Sequence, residues 1–168
     1  MRLLRIGDRG HEHPAIVDGE GRIRDLTGVV SDLSPATLAP ESLQRLRRLD
    51  VSHLPIVEGS PRIGACVAGT GKFICIGLNY SDHAAELNLA LPPAPVLFNK
   101  NPNTFIGHLG RVVAPSNIEY MHYENELVVV IGRRGRKVKA ADAYDYVLGY
   151  TIGNDITIRD FVTNFYRP

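Results

Sequence analysis

The sequence is poor in the features that mark several large functional classes. Only two of its 168 residues are cysteine, Cys66 and Cys75, and they form no cluster of metal-binding type. That argues against a thiolate zinc site and a disulfide framework, and predicts two buried free thiols. Charge of one sign is also lacking. Nineteen basic residues stand against eighteen acidic ones, net +1, with no basic tail or stripe, so nucleic acid is not an expected partner. No apolar run approaches transmembrane length, and the opening MRLLRIGDRG has too short an apolar stretch for a secretory leader. A cytoplasmic protein with no membrane partner is therefore expected. Repeats and low-complexity tracts are absent as well. What remains is an ordinary globular composition, 44% hydrophobic and 22% charged.

Residues 1–70 read as a small leading module. LLRIG and HPAIVDGEGRIRDLT predict a strand followed by a hairpin turning at Gly19, Glu20 and Gly21. Leu43, Leu46 and Leu49 recur at helical spacing behind a start at Pro40-Glu41-Ser42, and LPIVEGSPRIG returns to short extended segments. Nothing in this module has catalytic spacing. From residue 71 the composition changes. GKFICIGLNY predicts a buried strand, and SDHAAEL a short helix stopped by Pro92-Pro93. PVLFNK, a strand at RVVAP, a helical AADAYDYV and the segment LGYTIGNDITIRD follow. Strands outnumber helices without a repeated βα rhythm, which predicts an α+β, β-rich fold. Phe161, Val162, Phe165 and Tyr166 crowd the last residues, and such aromatic density predicts a partner surface and a fold that continues beyond them.

The segment HYENELVVVIG, residues 122–132, sets two acids at the mouth of a strongly apolar run. Leu127 to Ile131 predict a strand buried on both faces. Strand side chains alternate, so Glu124 and Glu126 share a side, roughly 7 Å apart by strand rise. Like charges there repel and lose hydration. Spacing alone leaves two readings open. In one, the pair lies on a solvated strand end and meets Arg133, Arg134 or Arg136. In the other, Asp155 joins them from a neighbouring strand. Three converging carboxylates form a hard-oxygen site suited to Mg²⁺, Mn²⁺ or Ca²⁺ rather than zinc. His83 and Glu86 stand at i and i+3 on the short helix and share a face, where a carboxylate can orient an imidazole as a general base requires. An exposed His–Glu contact is the plainer alternative. His122 is a candidate supporting residue; His11, His13, His53 and His108 receive no role.

GLNYSDHAAE, PVLFNK, YMHYENELVVVIG and VLGYTIGNDITIRD, in this order, resemble the fumarylacetoacetate hydrolase family. The longer spellings NIEYMHYENELVVVIG and IRDFVTNFYRP are most similar to its homoprotocatechuate branch of 5-oxopent-3-ene-1,2,5-tricarboxylate decarboxylases and 2-hydroxyhepta-2,4-diene-1,7-dioate isomerases. The resemblance implies a mixed β-sandwich roll preceded by a small N-terminal α/β module, with residues 71–168 forming the first part of the catalytic domain. It also implies Glu124, Glu126 and Asp155 as ligands of Mg²⁺ or Mn²⁺ (Ca²⁺ in crystals), and His83 with Glu86 as an acid–base dyad on a lid. Lys100 matches the F-x-K lysine of the site, expected to act in catalysis and to neutralise a substrate carboxylate, and Arg159 falls in the ND-x-x-x-R motif as a substrate-binding or loop-holding group. Tyr80 and Asn79 are expected to shape the turn into the lid. The implied activity is decarboxylation or isomerisation of small 2-oxo or 2-hydroxy dienoic acids through an enolate, in a homodimer. C–C bond hydrolysis of acylpyruvates and an inactive metal-binding relative remain as alternatives.

Overall fold

A computed structural model describes residues 1–161. Val162, Phe165 and Tyr166, part of the predicted aromatic patch, lie outside the described residues. The fold is α+β and rich in sheet, as expected. Strands β1 (Arg2–Ile6), β2 (His13–Val17) and β3 (Ile23–Asp25) form an antiparallel sheet in sequence order. The turn between β2 and β3 is where the sequence predicts it, and Asp18 organises it. Its carboxylate accepts from the N–H groups of Glu20 and Arg22, each at 2.9 Å, and from the guanidinium groups of Arg22 and Arg24. Arg24 is itself buried and also donates to the carbonyls of Ser52 and Leu54, tying the hairpin to the segment after the helix.

Helix α1 (Pro40–Arg48) begins at the predicted proline, which needs no N–H partner in the first turn. Glu41 in its first turn and Arg45, Arg47 and Arg48 in its last complement the helix dipole. Its buried Leu46 packs with Ile16 and Leu26, and Leu3, Val30, Leu49, Val51 and Leu54 close around them. The extended segments that follow pair as single bridges, Ile56 with Arg24 and Ile63 with Ile6. One loop of the later region seats here. A Cβ on Gly107 would lie 2.1 Å from the Ile63 carbonyl oxygen, so only glycine allows this approach.

Beyond residue 70 the strands pair in twos. β4 (Phe73–Gly77) pairs with β5 (Val96–Lys100), and β6 (Met121–His122) with β9 (Thr157–Ile158). β7 (Asn125–Ile131) pairs with β8 (Val147–Asn154), all antiparallel. Helix α2 (Ser81–Glu86) stands between β4 and β5.

Four expectations need correction. The β4 and β7 strands are not buried on both faces: Ile74, Ile76, Leu127, Val129 and Ile131 are exposed, because no described element covers that side. Of the two thiols, Cys75 is buried but Cys66 is exposed. RVVAP forms no strand, since its backbone finds no ladder partner among the described residues. Helix α2 ends at its own cap rather than at Pro92-Pro93. Asn88 takes a left-handed conformation (φ 56°) and donates to Ala85, while Leu89 donates to Ala84, the paired bonds that stop a helix. The helical Ala140–Tyr146 is a 3₁₀ helix.

Candidate metal centre

The register of β7 against β8 builds the site. Asn125 faces Asn154 and Glu126 faces Gly153, so the residues just outside this ladder, Glu124 and Asp155, stand opposite each other. The Asp155 N–H donates to the Glu124 carbonyl at 2.9 Å, and the Glu124 N–H to the Asn154 side-chain oxygen at 3.1 Å. Glu126, two residues along, lies on the same face as Glu124. One carboxylate oxygen from each of the three acids lies within 4.8 Å of the others. That is the scale of opposing oxygens on one hard cation, about 4 to 5 Å.

Like charges facing each other across a ladder destabilise it. Asp155 is only 8% exposed, and its Oδ1 is buried. Burial first, then the charges of Asp155 and Glu124, push the Glu126 carboxyl above the ordinary carboxylate range. Two side chains answer this crowding. Lys100, at the end of β5, sets its ammonium against Asp155 Oδ1. Arg159 donates to Glu124 Oε1 at 2.6 Å, and its loop is held by its own N–H on the Tyr120 carbonyl. Three carboxylates against two cations leave negative charge in excess, and the all-oxygen donor set fits a divalent Mg²⁺ or Mn²⁺. Arg133, an alternative partner by sequence, stacks instead over Tyr146.

Glu124 and Glu126 open into a cleft of about 660 Å³ that His83, Glu86, His122 and Arg159 also line. His83 Nδ1 lies 3.6 Å from Glu86 Oε2, so the structure brings this pair together beside the acids. Lys100 is outside the lining, turned toward Asp155 and donating to the Ile156 carbonyl at 3.2 Å.

Three contacts at the site escape sequence reasoning. Tyr80, at the start of α2, accepts a 2.9 Å bond from the Leu127 N–H through its hydroxyl, tying the helix to β7; no local pattern signals this. Asp160 accepts from the N–H groups of Glu119 and Tyr120 and fixes the approach to β6. Cys75 lies near Asp155. Burial, and then the Asp155 charge, push its thiol up to about 11, so it stays protonated and unreactive. Its inward place was legible from alternation along FICIG.

Residues 72–168 match the family model described as fumarylacetoacetate (FAA) hydrolase C-terminal. The chain belongs to the fumarylacetoacetate hydrolase family. A curated Burkholderia lata member, named provisionally as a hydrolase, is 47% identical over 96% of this chain and 57% of its own length. The chain thus spans little more than half the length of the curated relatives it matches. The structure of a fumarylacetoacetate hydrolase from psychrophilic Exiguobacterium antarcticum superposes with a TM-score of 0.75 at 26% identity, covering 99% of this chain and 59% of that one. A 2-hydroxyhepta-2,4-diene-1,7-dioate isomerase from Mycobacterium marinum gives 0.64 at 28% identity, over 99% and 58%. Within this family, the described residues include no helix long and apolar enough to cross a membrane.

Proposed function

We propose that this protein is a divalent-metal-dependent enzyme acting on small 2-oxo or 2-hydroxy dienoic di- or tricarboxylic acids. In this reading it is a decarboxylase or isomerase in the breakdown of homoprotocatechuate-type aromatic compounds. The observation that carries the reading is the convergence of Glu124, Glu126 and Asp155 beside a cleft that also holds His83 and Glu86. The three acids would hold Mg²⁺ or Mn²⁺. When bound there, the ion supplies Lewis-acid stabilisation of the enolate charge that these reactions develop.

The protein's own groups do the rest. His83 moves the proton at the substrate's carbon chain, and Glu86 holds the imidazole in orientation. Arg159 sets positive charge on the cleft wall, where a substrate carboxylate is drawn, while keeping Glu124 in place. A homodimer joined through the strand-rich region belongs to the same reading, and sedimentation equilibrium tests it.

A second reading, acylpyruvate-type C–C hydrolysis, is supported by the provisional hydrolase name of the 47% identical relative. It uses His83 and Glu86 to activate water instead. A panel of acylpyruvates, oxaloacetate and the oxopentene tricarboxylate, assayed with Mg²⁺, separates the two. The first reading expects loss of CO₂ or migration of a double bond to dominate; faster acylpyruvate cleavage transfers the assignment to the second.

A further inference from the structure

Lys100 ends β5 with its ammonium on Asp155, and the carboxylate oxygen it meets is buried. One positive charge therefore sits on a carboxylate that would hold the metal. Lys100 is not among the residues that line the cleft.

We infer that Lys100 is an internal placeholder cation, which neutralises the acid cluster while the site lacks its ion and leaves Asp155 when a divalent ion enters. The inference rests on the metal reading above. Without positive charge, three grouped carboxylates, one of them the buried Asp155, oppose folding, because each raises the cost of ionising the others. A divalent ion on the same oxygens repels a neighbouring ammonium twice as strongly as a monovalent one does. Lysine suits a temporary role: it is a single point charge on a flexible four-carbon stem, whereas a guanidinium is held by its planar fork. The Lys100 side chain is 27% exposed, so a route to water exists. A fixed lysine that merely orients Asp155 behind the metal predicts the opposite change in affinity when it is removed.

The test uses the full chain with Mn²⁺ as the probe, titrated by calorimetry and by electron paramagnetic resonance, in the parent, Lys100→Met and Lys100→Arg. With the competitor gone, Lys100→Met should bind Mn²⁺ at least about tenfold tighter, equivalent to about 1.4 kcal/mol. Its metal-free form should melt lower than the parent and gain more from Mn²⁺. Lys100→Arg keeps the charge and should bind no tighter than the parent. Acylation mapped by mass spectrometry gives a second measurement that needs no variant. Lys100 should label slowly in the metal-free protein and faster with Mn²⁺, relative to the exposed Lys72, Lys137 and Lys139.

Equal or weaker Mn²⁺ binding by Lys100→Met overturns the placeholder while leaving the metal reading intact. So does Lys100 labelling that stays constant or slows with Mn²⁺, and this measurement decides if the methionine variant does not fold. A parent that binds no Mn²⁺ beside a methionine variant that does supports the placeholder. If neither binds, the metal reading fails and the placeholder with it.

Discussion

The leading sheet turns Ile6, Ala15 and Ile16 into a closed core, whereas the β7–β8 pair leaves Leu127, Val129, Tyr150 and Ile152 on an open face. Charge is handled as differently as apolar surface. In the first region acids are matched locally: Asp18 with Arg22 and Arg24, Asp32 with Arg5, Glu12 with Arg62. In the second, three acids are set against one another and only partly answered. The first region spends its side chains on its own stability, and the second concentrates unfavourable charge where a ligand can relieve it.

The largest test of that contrast is Glu126→Ala. It should weaken Mn²⁺ binding by more than the 10–100-fold typical of groups behind metal ligands, and abolish metal-dependent turnover. The metal-free melting temperature should hold or rise, because the substitution deletes a carboxylate that burial, Asp155 and Glu124 all disfavour. Turnover at the parent rate would remove the site from consideration.

Next in size, His83→Ala should leave Mn²⁺ affinity unchanged while turnover falls by about 10²–10⁴-fold, the usual worth of a positioned acid–base group. Steady-state kinetics beside a metal titration separate the two effects.

A matched pair then probes packing. Leu26 is fully buried and Leu127 is 63% exposed. In urea unfolding, Leu26→Ala should cost about 2–5 kcal/mol, and Leu127→Ala within about 0.5 kcal/mol. Similar losses would mean that the β7–β8 face is covered in solution.

The smallest effect is acid sensitivity. Burial works to raise the Asp18 carboxyl, but hydrogen bonds from Arg24, Arg22 and Glu20 outweigh it and hold the group well below its ordinary value of 3.8. Its stabilisation is therefore complete above that value and drains away as pH falls below it. Asp18→Asn should melt lower than the parent near neutral pH and lose less on acidification. Parallel melting curves for the two proteins across the acid range would discount this carboxylate.

Local features were legible in the sequence. The β2–β3 turn, the proline start of α1 and the short α2 each follow from a few neighbouring residues. Alternation along the strand puts Glu124 and Glu126 on one side, but spacing alone leaves open whether Asp155 joins them, and the family resemblance is what implied it. What failed depends on distant contacts. An apolar run shows that a strand wants cover, not whether cover arrives, so Leu127 and Val129 were misplaced inside. RVVAP has strand composition without a ladder partner. The meeting of Lys100 with Asp155 joins residues far apart in the chain, and nothing near either one announces it.

The Tyr80 hydroxyl has a consequence for solubility as well as for the cleft. Among the described residues β7 pairs only with β8, so without a partner the Leu127 amide on its other edge would be a donor open to any passing strand. Tyr80 fills that position from the start of α2. The hydroxyl that ties helix to strand thus also caps a seam where a second chain could pair.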